Sequence, residues 1–261
     1  MRNRVLVGQR RLSLALMAFA GLSLGTPAFG AKILMDFGNT ATGTDAVGRA
    51  WNNIGTANDT VPNKVLNDTT GTDSGYRLTI ANPPGTTNAV GFNAENTNGT
   101  PTPSGQAAAR SYPSTATEDN LYGNVGTFNG LVVQGVRLTF SNLSPTEVYS
   151  LDFFASRLFV SDNRETEYAV TGAAGTTSVF LNPSNNEGNV VGVSGISPVE
   201  TTSGSGLWQI VVDIDAGPNN NNTSKFFHVS VAELNSTLVP EPASLGLLGG
   251  ALVLLGRRRR V

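Results

Sequence analysis

The stretches VRLTF at residues 136–140 and YSLDF at residues 149–153 decide the fold. In the first stretch Val136, Leu138 and Phe140 alternate with polar residues, and the second stretch repeats the pattern with Tyr, Leu and Phe. Successive side chains of a β-strand point to opposite faces, so a period of two predicts strands with one buried and one polar face. The two stretches therefore favour a sheet protein whose sheets each cover a core.

The same kind of pattern extends outward over residues 31–234. Short apolar, β-branched and aromatic runs are separated by clusters of Gly, Asn, Pro and Thr, and no convincing amphipathic helix interrupts them. We therefore expect an all-β domain, a two-sheet β-sandwich of about nine or ten strands. The stretch 82–128 has few apolar anchors, which predicts a functional or partly disordered loop, and residues 235–239 are expected to form a linker. The strands read from the pattern are 33–37, 76–80, 136–140, 149–153, 166–171, 178–181, 190–193, 207–214 and 226–234.

The composition excludes several kinds of site. The chain has 261 residues with 17 Lys+Arg, 19 Asp+Glu, one His and no Cys, for a formal net charge of −2. The lack of Cys excludes a disulfide framework, a cysteine metal site and a thiol nucleophile. Eight basic residues and one acidic residue lie in segments 1–30 and 240–261, which leaves about −9 on residues 31–239. This acidic body disfavours nucleic acid and other anionic partners.

Residues 1–30 have the three parts of a secretory signal peptide. Four arginines precede an apolar run over residues 12–24, and the small residues Ala28 and Gly30 occupy the −3 and −1 positions for cleavage after Gly30. A first core helix would leave the clustered arginines unexplained. We expect this segment to direct export through the secretion machinery.

Residues 240–261 form a second segment of distinct composition. A Pro-Glu-Pro motif precedes an apolar run over residues 245–256, and a cluster of arginines follows it. Positive charge stays on the cytoplasmic side of a membrane, so the run is expected to be a short hydrophobic C-terminal anchor with the body outside. The motif and cluster residues are Pro240, Glu241, Pro242, Arg257, Arg258, Arg259 and Arg260.

In this order of parts the tail resembles the PEP-CTERM sorting signal. That resemblance implies a Gram-negative bacterial protein that an exosortase processes near the Pro-Glu-Pro motif. It also implies release to the extracellular matrix or attachment at the cell surface, in association with exopolysaccharide and biofilm. The tail thus indicates where the protein is located and does not indicate the function of the domain over residues 31–234.

A second resemblance covers most of residues 33–234. The motifs MDFG at 35–38, WNN at 51–53, FFASR at 153–157 and RETEYAVTG at 164–172 are similar to those of galactose-binding-domain-like jelly rolls of secreted bacterial proteins. The resemblance implies a jelly roll whose end loops or concave face contact glycans. Because one fold hosts many functions, it does not by itself assign one.

The candidate glycan contacts are an aromatic ring and planar polar groups. Trp51 is expected to be either a ligand platform or a core residue. Arg157 and Arg164 bracket an expected hairpin loop, so they either converge on a ligand or form surface salt bridges with Glu165 or Glu167. The candidate ligand-binding residues are Trp51, Asn52, Asn53, Arg157 and Arg164.

Calcium is the one cofactor that the oxygen-rich segments favour. Hard cations take about six to eight oxygen ligands. Asp213 and Asp215 lie two residues apart near the asparagine run 219–222, and a second acidic cluster lies within residues 58–73. The jelly-roll resemblance also implies a structural calcium ion. We nevertheless favour the simpler interpretation, in which these side chains only form turns and the protein has no cofactor.

The sequence favours binding over catalysis. His228 is the only imidazole, and it lies inside a predicted strand rather than beside a nucleophile elbow. Glu165 and Glu167 are spaced about 7 Å apart on one strand face, a separation that suits glycoside hydrolysis but is common on solvated faces. We expect an exported non-enzymatic protein that associates with extracellular polysaccharide, as a matrix component or a weak glycan binder. The alternatives are a purely structural surface protein and a secreted polysaccharide hydrolase.

Overall fold

The computed structural model describes residues 29–55, 61–84, 86, 91–130, 132 and 134–239. These residues are nearly all β, with several antiparallel sheets and two short helices. The predicted sorting segment 240–261 and the predicted signal peptide up to residue 28 lie outside the described residues. In the described part of the chain, no helix has the length and apolar character needed to cross a membrane.

The elements follow one another in chain order. They are β1 (Phe29–Asp36), β2 (Asn52–Asn53), β3 (Val61–Asn67), β4 (Asp73–Ala81), β5 (Ala94–Asn96), α1 (Gly105–Ala109), α2 (Ser114–Thr117), β6 (Asn120–Asn124), β7 (Val136–Ser141), β8 (Glu147–Phe154), β9 (Thr166–Gly172), β10 (Gly175–Leu181), β11 (Val191–Ile196), β12 (Val199–Glu200), β13 (Trp208–Ala216), β14 (Phe226–Val229) and β15 (Val231–Leu238).

The described strands form three sheets. The largest has the order β10–β9–β13–β7–β4–β3, with β12 paired to β13, and the second has the order β11–β8–β15–β1–β2. The third sheet is small, with the order β14–β6–β5. The prediction of two sheets missed this third one, because two of its strands come from the stretch 82–128 that was expected to be loop.

The two larger sheets pack face to face around one core. Val136, Leu138 and Phe140 of β7 are fully buried in the same hydrophobic cluster as Phe153 of β8. The rings of Phe153 and Tyr168, one from each sheet, stack with centroids 4.4 Å apart. The alternation of core and half-buried residues along β7 and β8 confirms the predicted strand faces.

A second cluster lies on the other face of the five-stranded sheet. Leu34 of β1 and Phe154 of β8 belong to it, because each follows a core-facing residue and so points to the opposite face. They pack with Trp51, Tyr112 and small residues of the two helices. The helical segment therefore covers this face of the sandwich.

The strand predicted over residues 226–234 is broken at Ser230. β14 ends at Val229 and pairs with β6, whereas β15 begins at Val231 and pairs with β8 and β1. At the break, the Ser230 N–H donates to the carbonyl of Phe154 (2.9 Å), and the Ser230 carbonyl accepts from the N–H of Phe37 (2.7 Å). One continuous segment thus leads from the small sheet into the sandwich.

The predicted linker is also corrected. β15 pairs with β8 as far as Leu238 opposite Glu147, so residues 235–238 are sheet. Strand pairing on both sides stabilises this polar segment, and Asn235 adds a side-chain hydrogen bond to Glu233 (3.0 Å).

The register of β15 against β1 fixes the positions of the ends of the domain. Thr237 lies opposite Phe29, and Val231 lies opposite Asp36. The described chain therefore begins and ends at one end of this sheet, while β14, which precedes Val231, lies at the opposite end.

Candidate functional site

A pocket of about 210 Å³ lies between the small sheet and the loop that follows β8. Its volume is below the roughly 300–1,000 Å³ of drug-sized ligand pockets, so it suits one ring-sized group. The lining residues are Asn96 of β5, Tyr122 of β6, Phe226 and His228 of β14, and Phe128, Arg157 and Arg164 of the loops.

Three aromatic rings form one wall of this pocket. Tyr122 meets Phe226 at 5.4 Å and Phe128 at 6.4 Å between ring centroids, and Phe128 meets Phe226 at 4.9 Å. All three contacts are edge-to-face, the geometry that the ring quadrupoles favour. Strand pairing places Tyr122 of β6 opposite His228 of β14. We call Tyr122, Phe128 and Phe226 the aromatic wall.

Two guanidinium groups lie beside the aromatic wall. The Cζ of Arg164 lies 5.0 Å from the ring centroid of Phe226, and its Nε donates to the carboxylate of Asp162 at 3.0 Å. Arg157 donates from Nη1 to the carbonyl of Leu158 at 2.9 Å. Burial, and then the like charge of Arg164, lowers the pKa of Arg157. The structure thus places both arginines at one pocket, and the carboxylate that pairs with Arg164 is Asp162 rather than Glu165 or Glu167.

His228 is the most buried side chain of the pocket, with 1% of its surface exposed. Its Nδ1 lies 2.8 Å from Oδ1 of Asn120, whose amide nitrogen donates to the carbonyl of Ser156 at 2.8 Å. This orientation makes Asn120 Oδ1 the acceptor, so Nδ1 carries the proton and Nε2 is a free acceptor. Among the described residues Nε2 has no hydrogen-bond partner. Burial, followed by the charges of Arg164 and Arg157, lowers the pKa of His228 to about 3 and keeps the ring neutral.

The structure places Trp51 in the core rather than in the pocket. Its ring contacts Tyr112 edge-to-face at 5.9 Å, and its indole N–H donates to Oδ2 of Asp45 at 3.0 Å. Only 7% of Trp51 is exposed. The ligand-platform interpretation is therefore corrected in favour of the core alternative. Tyr112 packs against the ring, and Asp45 accepts the hydrogen bond of its only side-chain donor.

Asn52 and Asn53 form β2 and lie away from the pocket. The Asn52 amide donates to the carbonyls of Leu34 (3.0 Å) and Asn67 (2.8 Å), and its oxygen accepts from the N–H of Asn67 (2.8 Å). Asn53 lies opposite Asp36 across β1 and β2. Asn52 therefore connects two strands, and Arg157 and Arg164 are the predicted ligand-binding residues that line the pocket.

The candidate calcium residues contact other protein groups. Asp213 accepts from Nε and Nη2 of Arg137, each at 2.7 Å, and Asp215 accepts from the N–H of Ala216 at 2.7 Å. Within the residues that the structure describes, no group of three or more His, Cys, Asp or Glu side chains is placed to hold a metal ion. Calcium binding at this pair stays a prediction, which thermal unfolding with added calcium or chelator tests.

The two glutamates considered for hydrolysis each accept a hydrogen bond from another part of the chain. Glu165 accepts from the N–H of Asn219 at 2.9 Å, and Glu167 accepts from the hydroxyl of Ser178 at 2.6 Å. Neither of these glutamates lines the pocket.

The aromatic wall was missed from the sequence. Tyr122 and Phe128 come from the stretch expected to be a loop, and Phe226 comes from a strand that was expected to be continuous. The pairing of β6 with β14 joins segments about a hundred residues apart, and single-strand patterns carry no information about such pairing.

Phe159 is a second residue that the pattern did not single out. It lies in the loop between the two arginines, is 86% exposed and has φ 62, a left-handed conformation that is rare for a bulky residue. Asn185 holds this loop, accepting from the N–H of Phe159 (2.9 Å) and donating to the carbonyl of Val160 (2.6 Å). The apolar run LFV at residues 158–160, inside a predicted loop, was the available signal.

Comparisons with known proteins give only distant likenesses. No protein-family model and no curated protein matches the chain. Among solved structures, a carbohydrate-binding module, TmCBM61 in complex with β-1,4-galactotriose, is 15% identical with a TM-score of 0.26, over 44% of this chain and 70% of that one. The extracellular domain of ANXUR2 from Arabidopsis thaliana is 11% identical with a TM-score of 0.32, over 72% and 56%. An arabinose-bound α-L-arabinofuranosidase, MgGH51, is 12% identical with a TM-score of 0.28, over 81% and 31%. Likenesses this weak carry no argument about function, which rests on the chain's own geometry.

Proposed function

We propose that the chain is an exported surface or matrix protein whose β-sandwich binds carbohydrate in the pocket between β6, β14 and the loop after β8. The pocket is the observation that carries the proposal. It joins an aromatic wall to two guanidinium groups, an amide and a neutral imidazole. Small-molecule sites usually combine apolar surface with a few convergent polar groups. This pocket combines three aromatic rings with four polar or charged side chains, which suits a sugar ring with its hydroxyls.

The destination comes from the two terminal segments. In this proposal the signal peptide 1–30 directs export, and the sorting tail 240–261 is held transiently in the inner membrane until an exosortase removes it. The domain then associates with exopolysaccharide or biofilm matrix. The sandwich architecture suits the galactose-binding-like jelly roll that the sequence resembles, and the proposed role is binding without catalysis.

Removing one ring of the aromatic wall tests the proposal. Tyr122→Ala is expected to weaken binding about tenfold to any glycan that the full chain binds on a glycan array, because a stacked ring contributes roughly 0.5–1.5 kcal/mol beyond its buried area. Isothermal titration calorimetry measures the affinity of the array hits. Phe180→Ala, which removes a partly exposed ring on β10, is the matched control and is expected to bind as the wild type does.

Two outcomes would contradict the proposal. Equal weakening by both variants would place the binding site elsewhere. Failure of the full chain to bind any glycan on the array, or the producer's own exopolysaccharide, would favour the purely structural role.

A further inference from the structure

Arg157 differs from the other arginines that the structure describes, because it forms no ion pair. Its Nε is also buried without a hydrogen-bond partner among the described residues. A half-buried charge costs free energy unless an opposite charge accompanies it. The ion-paired arginines, each within 3.0 Å of a carboxylate oxygen, are Arg49, Arg77, Arg110, Arg137 and Arg164.

The pocket therefore carries one excess positive charge. It contains two guanidinium groups, and Asp162 neutralises that of Arg164. The imidazole of His228 is neutral, as described above. Because Arg157 retains its charge beside Arg164, a ligand with a single negative charge would complete the electrostatics of the site.

Neighbouring groups indicate what else this ligand carries. Nε2 of His228 is an acceptor without a partner among the described residues, so it calls for a hydroxyl or N–H donor. The aromatic wall suits a ligand with a flat apolar face that can pack against the rings. A bare inorganic anion would use Arg157 but leave both of these features without a partner.

We infer, resting on the proposed carbohydrate binding, that the pocket takes a sugar bearing a carboxylate, a uronate unit of an acidic polysaccharide. Arg157 pairs with the carboxylate, because its planar fork matches two carboxylate oxygens. Nε2 of His228 accepts from a sugar hydroxyl, and the aromatic wall covers the apolar face of the ring.

The acidic charge of the body opposes such a ligand only weakly. The Debye length is about 8 Å at physiological ionic strength, so carboxylates elsewhere on the surface are largely screened from the pocket. The expectation from net charge that anionic partners are disfavoured therefore does not extend to this site, where the local charge is positive.

Oligogalacturonate and its methyl ester provide a matched pair of probes for the full chain. They share rings and linkages, and the ester neutralises the carboxylate by adding a methyl group. Calorimetry is expected to show at least tenfold tighter binding of the acid. Arg157→Gln is expected to bring the ratio of the two affinities close to one, while Arg77→Gln, which breaks an exposed ion pair on β4, is expected to keep the preference.

Two further readouts separate recognition from folding. Arg157→Gln is expected to unfold at the wild-type temperature or above it, because it removes an unpaired charge. Arg157→Lys keeps the charge but not the fork, and it is expected to retain part of the preference for the acid.

The inference and the proposed function fail in different ways. Equal wild-type affinity for acid and ester, or binding restricted to neutral galactan oligosaccharides, overturns the inference and leaves carbohydrate binding in place. Competition by sodium acetate at the same concentration as the sugar acid shows a carboxylate site without sugar recognition and also overturns it. Absence of binding to the acid, the ester and the neutral oligosaccharides overturns both.

Discussion

At the scale of single residues, Trp51 shows that a hydrogen-bonded indole N–H goes together with a position in the core. Its ring packs on Tyr112, and its only donor is used by Asp45. The same residue type on a loop with a free N–H would suit a ligand platform equally well, so the neighbours decide the role. Arg157 is the converse case, since its neighbours leave its charge without a partner.

Substitution of Trp51 is expected to change stability and leave glycan binding intact. Trp51→Phe should cost about 1 kcal/mol through the lost hydrogen bond, and Trp51→Ala about 3–5 kcal/mol through the lost ring. Urea unfolding measures both. Loss of glycan affinity by a folded Trp51→Phe variant would restore the platform interpretation.

Asp36 is a buried carboxylate at the end of β1. Its Oδ2 accepts from the N–H of Thr42 at 3.0 Å, whereas Oδ1 has no hydrogen-bond partner within the described part of the chain. Burial, opposed by Thr42 and reinforced by the charges of Asp119 and Glu118, raises the pKa of Asp36 to about 7. The folded protein therefore holds a proton that the unfolded chain releases at much lower pH.

This proton makes stability fall as the pH rises from about 4 to about 7, by roughly 1.4 kcal/mol per pH unit. Asp36→Asn removes this contribution, so the variant is expected to gain stability relative to the wild type between pH 5 and pH 8. Burial also raises the pKa of Asp119, to about 6. Its contribution to the free energy of unfolding likewise falls as the pH rises, and it persists in the variant.

Urea unfolding at pH 5 and at pH 8 measures the difference in unfolding free energy between Asp36→Asn and the wild type. Asp73→Asn, at an exposed carboxylate, is the control. The control is expected to show the same change in unfolding free energy at both pH values. An equal effect of Asp36→Asn at pH 5 and pH 8 would contradict the assignment.

At the scale of the elements, the pairing of β6 with β14 is what builds the pocket. Gly123 of β6 lies opposite Phe227 of β14, and a Cβ at this glycine would lie 2.1 Å from the Phe227 ring. The close approach of ring and backbone therefore requires glycine, and the small sheet depends on it.

Gly123→Ala is expected to destabilise the protein by about 1–3 kcal/mol, because the ring must move out of a packed site. Adding Phe227→Leu should recover part of the loss, so the two changes should be less than additive in urea unfolding. Gly43→Ala, where an added Cβ meets nothing within 4 Å, is the neutral control. Strict additivity would contradict the contact.

Period-two alternation predicted the long strands and their faces, because β4, β7 and β8 each place one face on the core. It failed for β2 and β5, which have only two and three residues and show no period. The break at Ser230 was hidden by continuous apolar sequence on both sides. The arginines of the site were found because they bracket a loop, whereas the aromatic wall depends on long-range strand pairing.

At the scale of the whole molecule, the proposed sorting role of residues 240–261 can be tested directly. In an exosortase-competent Gram-negative host, mass spectrometry of the exported protein is expected to show a new C-terminus near residues 240–242. Replacing Pro240, Glu241 and Pro242 by alanine is expected to prevent cleavage and leave the tail intact. Lys64→Ala, far from the tail in sequence, is the control and is expected to be cleaved as the wild type is. An intact C-terminus on the exported wild-type chain would contradict the sorting assignment.

A tail at the end of β15 would hold the domain by the end remote from the pocket. β15 has eight residues, so its length separates the two by roughly 24 Å. Tension between a bound polysaccharide and the tethered C-terminus would run along β15. Because β15 pairs with both β8 and β1, and strand hydrogen bonds lie perpendicular to the strands, the load would act on both rows of bonds together in shear.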